Sequence, residues 1–319
     1  MESSRVCDLE LSVVVPCYNE VLGLHELVRR CCDSAVTAVG DSYELILVDD
    51  GSSDRTWETM VYLTAHQNVV AIKLSRNYGH EVALTAGLAA VRGRAVLIID
   101  ADLQDPPELL AQMLQRMKET SADVVYGQRT SRAGETWFKK WTSRIFYRLL
   151  ERSTDVLIPV DTGDFRLMSR RIADIIAQMP ERDRFIRGMV ASIGFKQVAF
   201  AYDRHARYAG STKYPVAKLI RLAADAFLGY SMVLQRFLSI VTLGLLVVFV
   251  GVAAYTLYAW IYLAVVPGWW ASLMLFIIVV SFFQLVALSI IGEYVGRIYF
   301  STKNRPLFIV ESIARGRNE

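Results

Sequence analysis

Asp100 and Asp102 are the two residues whose type and spacing most directly suggest chemistry. They follow four apolar residues, 96–99, which predict a strand buried on both faces of a parallel sheet. Open α/β sheets bind ligands at the carboxyl ends of their strands, and carboxylate oxygens there suit Mg²⁺ or Mn²⁺, which can also bridge the phosphates of a nucleotide. The alternative is structural: Asp100 ends the strand, and Asp102 caps a helix beginning at Pro106 and Pro107.

A second group of carboxylates follows the predicted strand 43–48, in the sequence Asp49-Asp50-Gly51-Ser52-Ser53-Asp54. Capping of the next helix explains one acid but not three, which leaves Asp49 or Asp50 for ribose hydroxyls or the amide edge of a base. The first predicted strand, 11–16, leads into a turn without the Gly-x-Gly-x-x-Gly of dinucleotide-binding domains, which weakens that interpretation.

The elements that would position these residues alternate along the chain. Helices are predicted at 21–39, 81–91 and 106–120, and further strands at 69–74 and 122–127. This alternation predicts an α/β fold with a mostly parallel sheet and helices on both faces. His80 lies near the ligand edge of that sheet, and we interpret it as a helix N-terminal or core residue rather than a catalytic one.

Three later segments are polar or basic. Residues 127–148 interleave cations with large aromatic side chains, a pattern of nucleic-acid faces or of interfacial helices, and the membrane predicted next favours the latter. Residues 161–167 are predicted to be a polar loop. Residues 204–214 contain three cations, and such a cluster is either a solvated face or an anion-binding site.

The segment from Phe237 to Gly292 contains no charged residue, which is enough for two membrane spans. Pro267 and Gly268 divide it, and cations flank its two ends but not the turn, so both ends and the catalytic part are predicted to be cytosolic. The alternative, buried helices of a soluble protein, is disfavoured by this length. Residues 215–236 predict an amphipathic helix on the membrane surface.

Composition sets the outer limits. The chain has 319 residues, is 53% hydrophobic and has a formal net charge of +3, too small to favour a nucleic-acid partner. The four cysteines show no zinc-type spacing and are expected to be reduced. Because residues 1–10 are polar, we expect no cleavable signal peptide.

Five motifs together resemble a known family. They are Val15-Pro-Cys-Tyr-Asn-Glu20, Val48-Asp-Asp-Gly-Ser52, Arg76-Asn-Tyr-Gly79, Asp100-Ala-Asp-Leu-Gln-Asp-Pro-Pro-Glu108, and Gly292-Glu-Tyr294 with Arg297 and Arg305-Pro306. The chain resembles, over nearly its whole length, the polyprenyl-phosphate glycosyltransferases. These are inverting enzymes of glycosyltransferase family two, related to dolichol-phosphate mannose synthase and, with two spans, to bacterial undecaprenyl-phosphate glucosyltransferases of the GtrB type. Gly163-Asp-Phe-Arg166 departs from the Ser-Gly-Phe-Arg usual in the mannose synthases, which disfavours a mannosyl donor.

The resemblance implies a GT-A fold, a nucleotide-sugar donor, a Mg²⁺ or Mn²⁺ cofactor and a lipid-phosphate acceptor. The expected organisation is a cytosolic GT-A domain at 1–214, a juxtamembrane helix at 215–236, two transmembrane helices at 237–292 and a cytosolic tail at 293–319. The metal would be held by Asp102 with Asp100. The donor would be bound by Pro16, Tyr18, Glu20, Asp50, Arg76, Asp100, Gln104 and Ser211. Arg129, Arg132, Arg207 and Lys213 would hold the two anionic groups together, and Asp161 or Asp164 would orient the acceptor or take a proton.

The expected function is transfer of a hexose, first of all glucose from UDP-glucose, to undecaprenyl phosphate on the cytosolic face of the inner membrane, in modification of the cell envelope or its lipopolysaccharide. A homo-oligomer is expected, with a tetramer as one possibility. The alternatives are another donor, namely GDP-mannose, UDP-GlcNAc or a UDP-aminoarabinose derivative, and a non-catalytic membrane protein that binds nucleotide sugars. A processive polysaccharide synthase is disfavoured because Gln235-Arg236-Phe237 does not match Gln-x-x-Arg-Trp.

Overall fold

The computed structural model describes residues 9–66, 68–129, 162–182, 184–203, 269–303 and 305–316, with scattered residues between 243 and 262. The chain forms two compact units. The first contains Met1–Leu222 and Pro306–Glu319, and the second contains Ala223–Arg305. The predicted site lies in the first unit.

The part of the first unit that the structure describes is built on one eight-stranded sheet, in the order β7-β5-β6-β4-β1-β2-β3-β8. The pairs β1–β2, β1–β4, β2–β3 and β5–β7 are parallel, whereas β4–β6, β5–β6 and β3–β8 are antiparallel. The strands are β1 (Leu9–Cys17), β2 (Tyr43–Asp49), β3 (Val69–Leu74), β4 (Gly93–Ile98), β5 (Val124–Arg129), β6 (Thr162–Ser169), β7 (Gln197–Tyr202) and β8 (Val310–Arg315).

Helices cover both faces of this sheet. The central strands carry apolar side chains on both faces, and each face must be shielded from water. On one face pack α1 (Leu24–Val39), α2 (Thr56–Leu63) and α4 (Leu110–Thr120), the last preceded by a short 3₁₀ turn, Pro107–Leu109. On the other face pack α3 (His80–Ala90), α5 (Arg170–Gln178) and α6 (Ile186–Ser192). The predicted GT-A-type arrangement of a mostly parallel sheet between two helical layers is therefore confirmed.

The prediction of a polar loop at residues 161–167 is wrong for its described part, which is the start of β6. Successive side chains of this segment alternate between the two faces of the strand, and its polar residues hide that alternation in the sequence. Phe165 and Leu167 enter the core that contains α1, while Asp164 and Arg166 are buried on the side of α3. Because Asp164 is paired with a cation, it can occupy an interior position that a hydrophobicity pattern would not assign to it.

The segment after residue 305 belongs to the first unit. β8 pairs antiparallel with β3, the Nζ of Lys73 lies 3.0 Å from a carboxylate oxygen of Glu311, and the N–H of Ser75 donates to the carbonyl of Ile309 at 3.0 Å. Within the segment 293–319, predicted to be a tail, the described residues thus contribute the last turns of a long helix, which ends at Thr302, and then the edge strand Val310–Arg315.

In the second unit, the described helix α7 runs from Trp269 to Thr302. Its stretch Val279–Gly296 is long and apolar enough to cross a membrane by length and composition. The described residues between 243 and 262 are also helical. The predicted division near residues 267–268 and the juxtamembrane segment 215–236 lie outside the described residues, so the two predicted spans stay a prediction.

Candidate active site

The loops after β2 and β3 are joined by Asp50. Its Oδ1 accepts a hydrogen bond from the backbone N–H of Tyr78 at 2.7 Å, and its Oδ2 accepts one from Gly79 at 2.9 Å. Burial raises the pKa of Asp50, while these two N–H groups act in the opposite direction. Asp50, predicted to bind the nucleoside, therefore has a structural task as well: it fixes the loop that contains Arg76.

Gly51 allows these two loops to approach each other closely. Its φ is +67°, and a Cβ at this position would lie 2.4 Å from the carbonyl carbon of Arg76 and 2.5 Å from the nitrogen of Asn77. Both the left-handed backbone and the lack of space require glycine here. Arg76 itself is exposed, with its guanidinium 4.2 Å from the ring centre of Tyr78.

Asn19 joins the loop after β1 to the loop after β2. Its side-chain oxygen accepts from the N–H of Ser53 at 2.8 Å, and its own N–H donates to the Oγ of Ser52 at 2.9 Å. Asn19 has a φ of +54°, a conformation that asparagine tolerates better than most residues. Tyr18, 38% exposed, and Glu20 flank it at the rim of the site.

The loop after β4 places Asp100 and Asp102 at the same edge of the sheet. The Oδ1 of Asp102 accepts a hydrogen bond from the N–H of Gln104 at 3.1 Å, and the buried Leu103 between them has a φ of +56°. Further along, the fully buried Asp105 accepts a hydrogen bond from the hydroxyl of Tyr202 at the end of β7. The loop is therefore held in a shape that its local sequence alone would not favour.

Next to this loop lies a group of ionisable side chains, the His80 cluster, formed by His80, Glu81, Asp100, Asp164 and Arg187. The Nε2 of His80 lies 3.5 Å from Asp100 Oδ1 and 3.3 Å from Asp164 Oδ2. Arg187 holds Asp164 with two hydrogen bonds, Nε to Oδ1 at 2.8 Å and Nη2 to Oδ2 at 2.9 Å. Glu81 accepts a hydrogen bond from the N–H of Ile186, the first residue of α6, at 3.1 Å. The cluster thus joins α3, β4, β6 and α6.

The charges of the cluster determine its protonation. Burial would raise the pKa of Asp164, but Arg187 and His80 outweigh it and hold that pKa well below its usual range. Burial would lower the pKa of His80, but Asp164 and Asp100 raise it to about 10. Burial raises the pKa of Asp100 to about 6 and, with the charge of Asp164, that of Glu81 to about 7. At neutral pH the cluster is therefore a protonated imidazole between two carboxylates, with Arg187 behind one of them.

Some side chains of the His80 cluster also carry atoms that could be ligands of a divalent cation. His80, Asp100 and Asp164 place possible ligand atoms within 4.8 Å of one another. Arg187 donates one hydrogen bond to each oxygen of Asp164, which leaves each oxygen a further lone pair, and His80 would bind a metal ion only in its neutral form. Asp100 Oδ1 is buried and accepts no hydrogen bond from the described residues, and Asp102 lies two residues on in the same loop. These two carboxylates offer the hard oxygen ligands that Mg²⁺ and Mn²⁺ require.

Arg129 lies at the carboxyl end of β5, beside the start of β6. A Cβ at Gly163 would lie 2.6 Å from its Nη2, so glycine at that position makes room for the guanidinium. Arg129 pairs with Tyr202 across β5 and β7, and its Nε is buried without a partner among the described residues. The predicted anion-binding arginine is therefore next to the strand that contains Asp164.

Several predicted site residues lie around one edge of the sheet. They are Pro16, Tyr18, Glu20, Asp50, Arg76, Asp100, Asp102, Gln104, Arg129 and Asp164. Arg132, Asp161, Arg207, Ser211 and Lys213 lie outside the described residues, so their assignments stay predictions.

Three residues of this edge were not predicted as functional. His80 does begin a helix, as predicted, but it also contacts two carboxylates of the site. Glu81 and Arg187 were not singled out. For His80, the sequence did offer one signal of a functional role: a histidine that follows Gly79 at the start of a helix, near the ligand edge of the sheet. No local signal marks Arg187, because its contact with Asp164 joins residues 23 positions apart.

The chain is similar to known proteins over most of its length. A family model described as glycosyl transferase family 2 matches residues 12–176. YkcC of Bacillus subtilis, named as an uncharacterized glycosyltransferase, is 42% identical over 307 residues, which cover 95% of this chain and 94% of that protein. An uncharacterized glycosyltransferase of Synechocystis is 39% identical over 307 residues, covering 96% of each chain.

Among solved structures, one similar chain is glucosyl-3-phosphoglycerate synthase of Mycobacterium tuberculosis, in complex with Mn²⁺, UDP-glucose and phosphoglyceric acid. The match has a TM-score of 0.45 and 23% sequence identity, and it covers 69% of this chain and 78% of that one. A likeness at this level bears on neither the donor nor the metal of the present chain.

Proposed function

Since this chain belongs to glycosyl transferase family 2 and transfers a sugar from a nucleotide-sugar donor, we propose that its acceptor is a polyprenyl phosphate in the membrane that anchors it. The observation that supports this most directly is the path of the chain. It leaves the catalytic unit after residue 222, forms the apolar second unit and returns at residue 306 to add β8 to the catalytic sheet. The apolar second unit is therefore connected to the first unit at both of its ends. A membrane anchor connected in this way suits an enzyme whose acceptor cannot leave the bilayer.

The surface of α7 supports a lipid environment. Large apolar side chains such as Phe282, Leu285, Leu288 and Ile291 are more than half exposed, as they would not be in the core helix of a soluble protein. Because β8 and β3 lie in one sheet, a chain that crosses the membrane through α7 must cross an even number of times. The uncharged sequence from residue 237 to residue 268 is long enough for a second span, and the flanking cations favour a cytosolic catalytic unit.

The proposed reaction is a single displacement. A phosphate oxygen of the lipid attacks the anomeric carbon, a new carbon–oxygen bond forms there, and the bond to the diphosphate breaks as the nucleoside diphosphate leaves. Asp100 and Asp102 would hold a divalent cation whose charge neutralises that leaving group. Because a phosphate monoester has its second pKa near ~6, the nucleophile is largely dianionic at neutral pH and does not require a base.

Asp164 fits an orienting task better than that of a base. Both of its oxygens accept hydrogen bonds from Arg187, and its lowered pKa makes it a weak proton acceptor. Gly163, the residue before Asp164 in β6, lies against Arg129. We propose that Arg129, with Arg132, Arg207 and Lys213, holds the acceptor phosphate close to the donor diphosphate.

The donor is proposed to be UDP-glucose, with GDP-mannose, UDP-GlcNAc and a UDP-aminoarabinose derivative as the alternatives. The test is to supply purified full-length protein with undecaprenyl phosphate, Mg²⁺ or Mn²⁺, and each nucleotide sugar, and to analyse the organic-extractable product by mass spectrometry and NMR. The expected product from an α-linked donor is a β-linked lipid phosphate. Transfer only to water-soluble acceptors would contradict the proposed acceptor, and an α-linked product would contradict single displacement.

A further inference from the structure

Arg187 of α6 makes a contact that no sequence motif suggested. Its Nε and Nη2 each donate to a different oxygen of Asp164, at 2.8 and 2.9 Å, so guanidinium and carboxylate form a two-point pair. Asp164 is only 4% exposed in its side chain, whereas Arg187 is 30% exposed. A pair of this geometry fixes the plane of the carboxylate as well as its position, which a single point charge would not do.

The other side of Asp164 faces His80. The second contact of Asp164 Oδ2 is His80 Nε2 at 3.3 Å, and the same nitrogen lies 3.5 Å from Asp100. Arg187 is therefore the outermost member of a chain of contacts that ends at a predicted metal ligand. Glu81, in the first turn of α3, accepts a hydrogen bond from the N–H of Ile186, the residue before Arg187. This bond holds the start of α6 against α3.

We propose that Arg187 is a positioning residue for the transfer reaction: through Asp164 it sets the geometry of the acceptor side of the site. This deepens the proposed function and rests on it. The direction of the effect follows from β6, in which successive residues face opposite sides. Asp164 faces Arg187 and His80, while the adjacent Gly163 faces Arg129, the described cation proposed for the acceptor phosphate. Displacement of Asp164 would therefore also shift Gly163 and change the space that the Arg129 guanidinium occupies.

The part of the donor site formed by the loops after β1, β2 and β3 should be largely spared. The loops after β1, β2 and β3 are held by Asn19 and Asp50, and the hydrogen bonds that join them involve neither Asp164 nor Arg187. Loss of Arg187 should therefore appear in kcat and in the KM for the lipid, not in the KM for the nucleotide sugar. A purely structural role would lower stability and the amount of active enzyme without such a split.

The experiment compares full-length wild type with Arg187→Lys, Arg187→Met, Asp164→Asn and the double variant Arg187→Met/Asp164→Asn, using undecaprenyl phosphate and the nucleotide sugar that the wild type uses. We expect about tenfold lower kcat/KM for the lipid with lysine, which keeps the charge but not the fork, and about a hundredfold with methionine. The KM for the donor should stay within about twofold. Because Arg187 acts through Asp164, the kcat/KM of the double variant for the lipid should lie within about twofold of that of the less active single variant.

Arg184→Lys is the matched control. Arg184 lies three residues away and also makes two hydrogen bonds, but to the carbonyls of Ile176 and Met179, at 2.6 Å each. It should lower the melting temperature and leave the steady-state constants unchanged. If Arg187→Met remains unfolded, Arg187→Lys and the comparison with Arg184→Lys still decide the outcome.

Three results would overturn the positioning role. They are wild-type lipid kinetics in both Arg187 variants, losses in the double variant that multiply those of the single variants, and equal kinetic losses in Arg184→Lys. A wild type that transfers no sugar to the lipid would instead contradict the proposed function. The two failures are therefore distinguishable by the wild-type rate alone.

Discussion

The Nε2 atom of His80 lies 3.3 Å from a carboxylate oxygen of Asp164, and it also faces Asp100 at 3.5 Å. One imidazole thus joins the strand end that contains the predicted metal ligands to the strand that contains the predicted acceptor residue. The relationship has consequences for stability and for catalysis, which separate experiments can measure.

The stability of the protein should depend on His80 in a pH-dependent way. Its pKa is raised to about 10 in the folded state, from a usual value of ~6.5, so its stabilisation is complete below about pH 6.5 and is lost as the pH rises through 10. Substitution His80→Gln should lower the melting temperature by on the order of 5 °C at pH 6.5. The difference from wild type should shrink by pH 9.5, as measured by thermal unfolding in detergent. A difference that grows with pH would contradict this charge assignment.

Asp102→Asn tests the metal site. A neutral amide is a poorer ligand for a hard cation, so transfer should fall about a hundredfold or more, and the apparent affinity for Mg²⁺ or Mn²⁺ should fall with it. The exposed Asp41→Asn serves as a control for loss of a negative charge elsewhere. Full activity of Asp102→Asn, or of wild type in excess chelator, would exclude the assignment.

Asp164→Asn separates orientation from proton transfer. The asparagine keeps one acceptor oxygen but loses the charge paired with Arg187, so kcat should fall about tenfold to a hundredfold. The ascending limb of the pH–rate profile should remain where it is in wild type, because the carboxylate is not the base. Disappearance of that limb in the variant would show that Asp164 accepts the proton after all.

Gly51→Ala should damage the donor site. The new Cβ would be strained by the φ of +67° and would also overlap the backbone at Arg76 and Asn77. Gly40→Ala is the matched control, since Gly40 has a φ of +65° but no heavy atom within 4 Å of the added Cβ. The control should cost about 1 kcal/mol of unfolding free energy. Gly51→Ala should cost more than that and should raise the KM for the nucleotide sugar, whereas equal effects would argue against the close approach.

The membrane topology is tested with protease in sealed, right-side-out vesicles. Tags at both termini should be protected, because β8 and β3 belong to one sheet and the flanking cations favour the cytosol. A protease site inserted between Pro267 and Gly268 should be cut from outside. Cleavage at either terminus from outside would contradict a cytosolic catalytic unit.

The sequence by itself determined the first five strands, most of the helices between them and the placement of the acidic loops. Buried parallel strands are long apolar runs, so 69–74 was predicted with its observed bounds, and the carboxylates that end β2 and β4 had to lie at one edge of the sheet. The uncharged segment 237–292 was equally visible, because absence of charge over that length is a property of the sequence.

Only the tertiary structure decided how the site is supported. β6 was mistaken for a loop because its polar residues are buried in pairs that the local pattern does not display, Asp164 with Arg187 above all. The contacts of His80 with Asp100 and Asp164 cross from one strand end to another, and β8 pairs with β3 across more than 200 residues of sequence. Hydrophobic periodicity records which side of an element is buried, but the partner of a buried charge depends on which elements meet, and that is determined by the packing of the whole sheet.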